Sequence, residues 1–386
     1  TDATKAVTLN GATGMGITQK TSGKPVLFNS RRYVGNASAS RDITGLGFKA
    51  DLIWTKNRDA TNWHGLNDSL RGNGPLLYTN DLGGNDVPGT NNRILSVNSD
   101  GYTIGSNSSF NNNNNAYIAW AWKAGGAPSA TGKSAKIQNG ISSEDTISTT
   151  FNTGTDSYNT ASGHVTSVTR SVNVDGGFSI VKYVNNGTGA NRAIPHGLGS
   201  KPDMIIIKPL IANSEWLVYH QGSTSNDDLN AQFLKLNSGD GETAMPGSTS
   251  AATDYHFYTP NNSAYDLNTT NAVGVIAYCW KDVPNVSKFG SYVGNASNNS
   301  VTVGFKPKFL IIKRRNGSGS WSMWDYIRDP SGDDMQSLYA NGDSTEQAGS
   351  STFTPTLTNT GFSFDSNVTH ASLNANNETY VYFAWV

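Results

Sequence analysis

An internal threefold repeat constrains this chain more than any other feature. Tyr33-Val34-Gly35-Asn36, Tyr183-Val184-Asn185-Asn186 and Tyr292-Val293-Gly294-Asn295 each precede a turn bearing Gly and Lys. Each turn runs into an apolar segment that ends in Lys: Leu52-Ile53-Trp54-Thr55-Lys56, Met204-Ile205-Ile206-Ile207-Lys208 and Phe309-Leu310-Ile311-Ile312-Lys313. Each unit closes on an aromatic segment: Tyr117-Ile118-Ala119-Trp120-Ala121-Trp122, Val275-Ile276-Ala277-Tyr278-Cys279-Trp280 and Tyr380-Val381-Tyr382-Phe383-Ala384-Trp385. A repeat that keeps its apolar positions and varies its loops reads as a scaffold. No reactive group recurs with it.

Short apolar runs bounded by Gly, Pro and Asn and rich in β-branched and aromatic residues predict strands. Helical turns are expected only at Asn67-Asp68-Ser69-Leu70-Arg71 and Asp334-Met335-Gln336-Ser337-Leu338. The expected fold class is all-β: three repeated antiparallel β-sandwich, jelly-roll-like units of six to eight strands with little helix. The expected organisation is a leader or arm over 1–30, repeat one over 31–124, a Ser/Thr/Gly-rich linker or arm over 125–175, repeat two over 176–282 and repeat three over 283–386. The short junction between repeats two and three implies close coupling there, with repeat one more separate. The Val165-Thr166-Ser167-Val168 stretch has the residues of a strand that adds to another subunit.

Side chains alternate faces along a strand. One face of each closing segment carries Ile118/Trp120/Trp122, Ile276/Tyr278/Trp280 and Val381/Phe383/Trp385, and the other face is mostly small. This pattern places Trp120, Trp122, Trp280, Phe383 and Trp385 in the core between the two sheets of each unit.

The 386 residues carry 28 basic and 29 acidic side chains, which argues against a broad electrostatic footprint for nucleic acid or an anionic membrane. Charged residues are only 15% of the chain, against roughly 25% in ordinary soluble domains, so Asn, Ser, Thr and Gly must supply the polar surface. The one cysteine, Cys279, excludes an intrachain disulfide. No run of about 18 apolar residues is present, so no transmembrane helix or membrane insertion is expected.

A second element lies inside the units. Trp63 is followed by Asp68 and Arg71, and Trp324 by Asp325 and Arg328, whereas repeat two keeps Trp216 and loses the ion pair. These six residues, Trp63, Asp68, Arg71, Trp324, Asp325 and Arg328, are the candidate surface contacts for a glycan, since Trp faces stack on pyranose rings. The alternative is a strand Trp with a carboxylate and guanidinium fixing the next turn, which constancy of position favours. No histidine has zinc-ligand spacing. His196 should bond backbone in its turn. Asp325, Asp329, Asp333 and Asp334, with Asp227-Asp228 elsewhere, admit structural calcium at most. No nucleophile elbow, phosphate loop or dinucleotide fingerprint occurs, so no catalytic residue and no cofactor are assigned. Asn111 to Asn115 reads as a hairpin tip.

The repeated segments, together with Lys56-Asn57-Arg58, Lys313-Arg314-Arg315, Asp68-Ser69-Leu70-Arg71-Gly72, Gly101-Tyr102-Thr103-Ile104, Gly361-Phe362-Ser363-Phe364 and Trp122-Lys123-Ala124-Gly125-Gly126, resemble a repeat-domain family of unknown function from tailed bacteriophages and marine viruses. Its members are described as tail-fibre-like or virion structural proteins. The resemblance implies a non-enzymatic virion protein, a tail-fibre or spike-like adhesin whose loops contact a host surface glycan. It further implies other virion proteins as partners, a homotrimer, and a place on the particle surface. Capsid decoration or a head fibre, and a polysaccharide-degrading spike enzyme, are the alternatives.

Overall fold

The computed structural model describes residues 26–84, 93–126, 144–145, 168–184, 192–211, 213–223, 232–245, 252–259, 265, 267, 273–330 and 335–386. The leader up to residue 25, most of 127–167, His164, Asp227, Asp228, Asp333 and Asp334 lie outside the described residues.

The chain is nearly all β, as the short apolar runs predict. Unit one has a five-stranded antiparallel sheet in the order Phe28–Val34, Ala116–Trp122, Leu52–Asn57, Gly65–Asp68, Gly72–Tyr78. Unit three repeats it with Ser287–Val293, Thr379–Trp385, Phe309–Arg314, Ser322–Asp325 and Leu338–Tyr339. Unit two does so with Phe178–Val184, Gly274–Trp280, Met204–Pro209, Leu217–His220 and Gln232–Lys235. Its sheet is extended by Thr243–Ala244 at one edge and by Val168–Asn173 and Glu144–Asp145 at the other. The stretch expected as linker therefore contributes an edge strand, and that strand pairs with unit two of the same chain.

A smaller sheet faces each large one. It is built from Arg41–Thr44, Gly101–Ile104 and Ile94–Asn98 in unit one, Arg192–Pro195 and His256–Thr259 in unit two, and Asn299–Thr302, Gly361–Phe364 and Thr356–Thr358 in unit three. First strand pairs with last and second with seventh, as in a jelly roll, but the third, fourth and fifth remain one meander. The one helix among the described residues is the single turn Ser108–Asn111, capped by Asn107; Asn67-Arg71, expected helical, is a strand end and a turn.

The bulky face of the closing strand does not lie where alternation alone suggested. The small face, Tyr117, Ala119 and Ala121, packs against Ile43, Tyr102 and Ile104 between the two sheets of unit one. The equivalents in the other units pack likewise against Phe257 and against Phe362. The bulky face instead enters a core shared by all three units, which joins Trp120, Trp122, Tyr278, Trp280, Phe383 and Trp385. Each unit thus buries both faces of its large sheet. Unit one is not more separate than the others, because its sheet contributes to this common core as fully as theirs.

At the centre the terminal tryptophans meet in a triangle. Trp122 and Trp280 have centroids 6.2 Å apart at 69°, Trp122 and Trp385 5.4 Å at 72°, and Trp280 and Trp385 6.1 Å at 69°. All three pairs are edge-to-face, the arrangement in which ring quadrupoles attract.

The Tyr-x-Gly-Asn motif is also structural. Tyr33 Oη donates to the Phe110 carbonyl at 2.8 Å and Tyr292 Oη to that of Leu373 at 2.6 Å. A Cβ on Gly35 would stand 2.0 Å from the Asn112 oxygen, and one on Gly294 2.3 Å from the Ala375 oxygen, so only glycine fits. Asn111, expected at a hairpin tip, is buried, and its Oδ1 accepts from Asn36 N at 2.9 Å.

Replacing Trp280 or Trp385 by Ala removes one corner of the triangle, and each variant is expected to lose about 3–5 kcal/mol in urea unfolding. Unchanged unfolding midpoints would contradict a shared core.

Candidate functional site

Five of the six candidate contact residues are inside the molecule. Asp68, Arg71, Trp324, Asp325 and Arg328 are all buried. They correct the expectation of a surface site, and the reason is visible in their partners. Asp68 Oδ1 accepts from Leu70 N and Arg71 N at 3.0 and 2.9 Å, and Oδ2 accepts from Arg71 Nε at 2.5 Å. Arg71 donates in turn to the Leu66 carbonyl at 2.9 Å. In unit three, Asp325 and Arg328 make the same contacts, with Arg328 N at 2.9 Å, Nε at 2.5 Å and the Met323 carbonyl at 2.9 Å. The pair folds the turn after the fourth strand.

Each carboxylate also receives a donor from the next unit. Tyr278 Oη of unit two donates to Asp68 Oδ2 at 2.7 Å, and Trp120 Nε1 of unit one donates to Asp325 Oδ2 at 3.1 Å. The strand register puts Trp120, Tyr278 and Phe383 at one place in the repeat. It likewise aligns Asp68, His220 and Asp325. Phe383 has no donor to give. Opposite it stands His220, its ring 4.8 Å from the Phe383 ring and its Nε2 3.1 Å from the Tyr382 carbonyl. Gly222 N donates to His220 Nδ1 at 2.9 Å, so Nε2 carries the proton. The missing ion pair of unit two follows from its neighbour: a buried carboxylate there would lack a donor, and an unpaired buried charge is strongly unfavourable.

The recurring strand-end lysines act the same way round the ring. Lys56 Nζ of unit one donates to the Asp343 carbonyl of unit three at 3.1 Å. Lys208 of unit two reaches Leu82 of unit one at 2.9 Å, and Lys313 of unit three reaches Gly239 of unit two at 3.1 Å. Burial lowers Lys56 and Lys313 to about 8. Beside them Trp216 Nε1 donates to Tyr78 and Asp81 carbonyls of unit one at 2.9 and 3.1 Å. Trp321 Nε1 donates to Lys235 and Ser238 of unit two at 2.8 and 3.2 Å. Arg58 pairs with Glu346 of unit three at 2.6 Å, and Arg315 with Glu242 of unit two at 3.6 Å. Leu210 stands at the corresponding place in unit two.

Continued by one residue, the register opposes Lys56 with His64 where the other units oppose Lys with Trp216 and Trp321. Trp63, one residue earlier, is therefore not the counterpart of the buried tryptophans. His64 Nδ1 accepts from Trp54 Nε1 at 2.9 Å, and the ring also meets the Tyr339 backbone of unit three. Eight of the nine tryptophans are buried, and Trp63 is 45% exposed, edge-on to Tyr78 at 5.0 Å. It is the one candidate contact residue left on the surface.

Among the described residues no group of three or more His, Cys, Asp and Glu is placed to hold a metal ion. Asp325, expected in an acidic loop, is engaged with Arg328. His196 bonds its turn as expected, with Nε2 3.1 Å from the Thr253 carbonyl and Nδ1 accepting from Leu198 N at 3.1 Å. Burial pushes the Cys279 thiol up, leaving it inert as a nucleophile. Among the described residues no helix is long and apolar enough to cross a membrane.

The contacts define a three-unit β-repeat protein whose recurring polar groups join unit to unit. The chain belongs to the family of the domain of unknown function DUF7483, whose model matches residues 24–150 and 131–386. Neither the curated proteins nor the solved structures contain a match.

Two measurements probe this ring. Tyr278→Phe should lower the unfolding free energy by about 1–3 kcal/mol, the cost of leaving Asp68 Oδ2 short of a donor. His220→Asp should cost about 3–5 kcal/mol alone, and less when Ser223→Arg and Phe383→Tyr accompany it. Equal losses with and without these companions would contradict the pairing rule.

The histidines set the acid limit. Burial lowers His196 and His220 to about 3 and holds His64 well below its usual 6.5. The unfolded chain takes up these protons first, so the histidines' contribution to stability is intact above pH 6.5 and is lost as pH drops toward 3. Each proton contributes up to about 1.4 kcal/mol per pH unit. Urea titrations at pH 7, 5 and 4 should show this decline, and a flat profile would contradict it.

Proposed function

We propose that the chain is a non-enzymatic structural protein of a tailed-phage virion, a tail-fibre or spike-like adhesin. The observation that carries this reading is where the recurring chemistry lies. The repeated Asp, Arg, Lys and Trp side chains are buried and bonded across units, so the repeats form a rigid body. The loops and edges, which also vary among units, are the parts that a surface could meet. A mostly uncharged surface rich in Asn, Ser, Thr and Gly suits contact with neutral glycans, and the exposed Trp63 offers an aromatic face to a sugar ring.

Other virion proteins and a host surface glycan are the partners in this reading. The resemblance also implies a homotrimer, and the bulky strand faces already meet within one chain. Trimerisation of whole chains would use other surfaces.

Antibody raised against the purified protein should label the tail of intact particles in negative stain, and the protein should compete with particles for adsorption to host cells. Label confined to the head, or absent from particles, would overturn the tail assignment. Oligosaccharide released from host capsule by the pure protein would overturn the non-enzymatic one.

A further inference from the structure

Asn67, Tyr219 and Trp324 occupy one place in the repeat, opposite Ile53, Ile205 and Leu310 on the neighbouring strand. Tyr219 and Trp324 fill the space between the two sheets of their units. Asn67 is far smaller, and beside it unit one has an open cavity of about 300 Å³, lined among others by Asp51, Ile53, Asn67, Ser69, Asn73 and Val97. This is the lower end of the roughly 300–1,000 Å³ typical of small-molecule sites.

The wall is mixed polar and apolar, and its two carboxylates are compensated. Asp51 Oδ2 accepts from Lys123 Nζ at 3.0 Å and Ala124 N at 2.8 Å, and Asp68 is held by Arg71 and Tyr278. Neither carboxylate is left to bind a cation. Asn67 Nδ2 donates to the Asn73 and Pro75 carbonyls at 3.3 and 2.9 Å, which fixes the amide and leaves Oδ1, itself buried, without a partner. Ser69 Oγ is also buried without a partner. Both residues line the cavity, and each of these oxygens can still accept a hydrogen bond. Ala50, Ile53 and Val97 add an apolar wall.

We propose that this cavity is a subsite for one uncharged sugar residue, with hydroxyls toward Asn67, Ser69 and Asn73 and the C–H face of the ring against Ile53 and Val97. The aromatics at the same place in units two and three confine the subsite to unit one. The choice of a sugar rests on the adhesin reading; the cavity and its unpartnered groups do not.

Saturation-transfer NMR on the isolated full chain tests this without any particle, so it stands or falls separately from the labelling experiment. The probes are free glucose, galactose, mannose and N-acetylglucosamine at millimolar concentration. At least one should receive saturation. The signal should vanish in Asn67→Tyr, which copies unit two, and in Asn73→Trp, which blocks the mouth from an exposed position, and it should persist in Tyr255→Ala, which removes an exposed aromatic of unit two. No transfer to any probe, or transfer that survives Asn73→Trp in a folded protein, would overturn the subsite. Loss in Trp63→Ala with retention in Asn73→Trp would overturn it too, by moving the contact to Trp63.

Discussion

The edge-to-face packing of Trp122, Trp280 and Trp385 is the contact on which the rest of the molecule depends. Each tryptophan ends the closing strand of its unit and inserts between the other two. A single unit has a core of its own between its sheets, but its large sheet would present a second, aromatic face to water. Three units cover that face for one another within one chain. Burying a large aromatic side chain contributes about 2–3 kcal/mol, and the shared core gathers many of them without a disulfide.

Around the triangle the strand-end lysines run in one sense, each bonding the neighbouring unit. These lysines donate to carbonyls, which every residue supplies, so they tolerate any neighbouring sequence. The Asp68, His220 and Asp325 position depends instead on a side chain of the next unit. Tyr278 and Trp120 donate and face carboxylates, whereas Phe383 cannot donate and faces an imidazole. Sequence divergence among the units is thus coupled across interfaces, and the residues to compare are those that meet rather than those that align.

The strands and the alternation of bulky and small residues were legible from the sequence because both follow from a period of two. The direction of the bulky face was not, since alternation cannot say whether a strand's large side chains meet the partner sheet or another unit. Trp63 shows a second limit. A tryptophan near the right place resembled the repeat, yet the register gives that role to His64. The candidate glycan residues Asp68 and Asp325 were legible as recurring ionic pairs, and their burial depended on Tyr278 and Trp120, more than 200 positions away. The Asn67 cavity was hidden for a related reason: a small residue is conspicuous only once Tyr219 and Trp324 are known to fill the same place.

The central claim is that three units form one cooperative body through a common core. Scanning calorimetry of the intact chain tests it most directly. The account predicts a single endotherm whose van't Hoff and calorimetric enthalpies agree, because no unit can unfold without exposing the tryptophan face of the other two. Separate transitions, with one unit melting while the others stay folded, would contradict it.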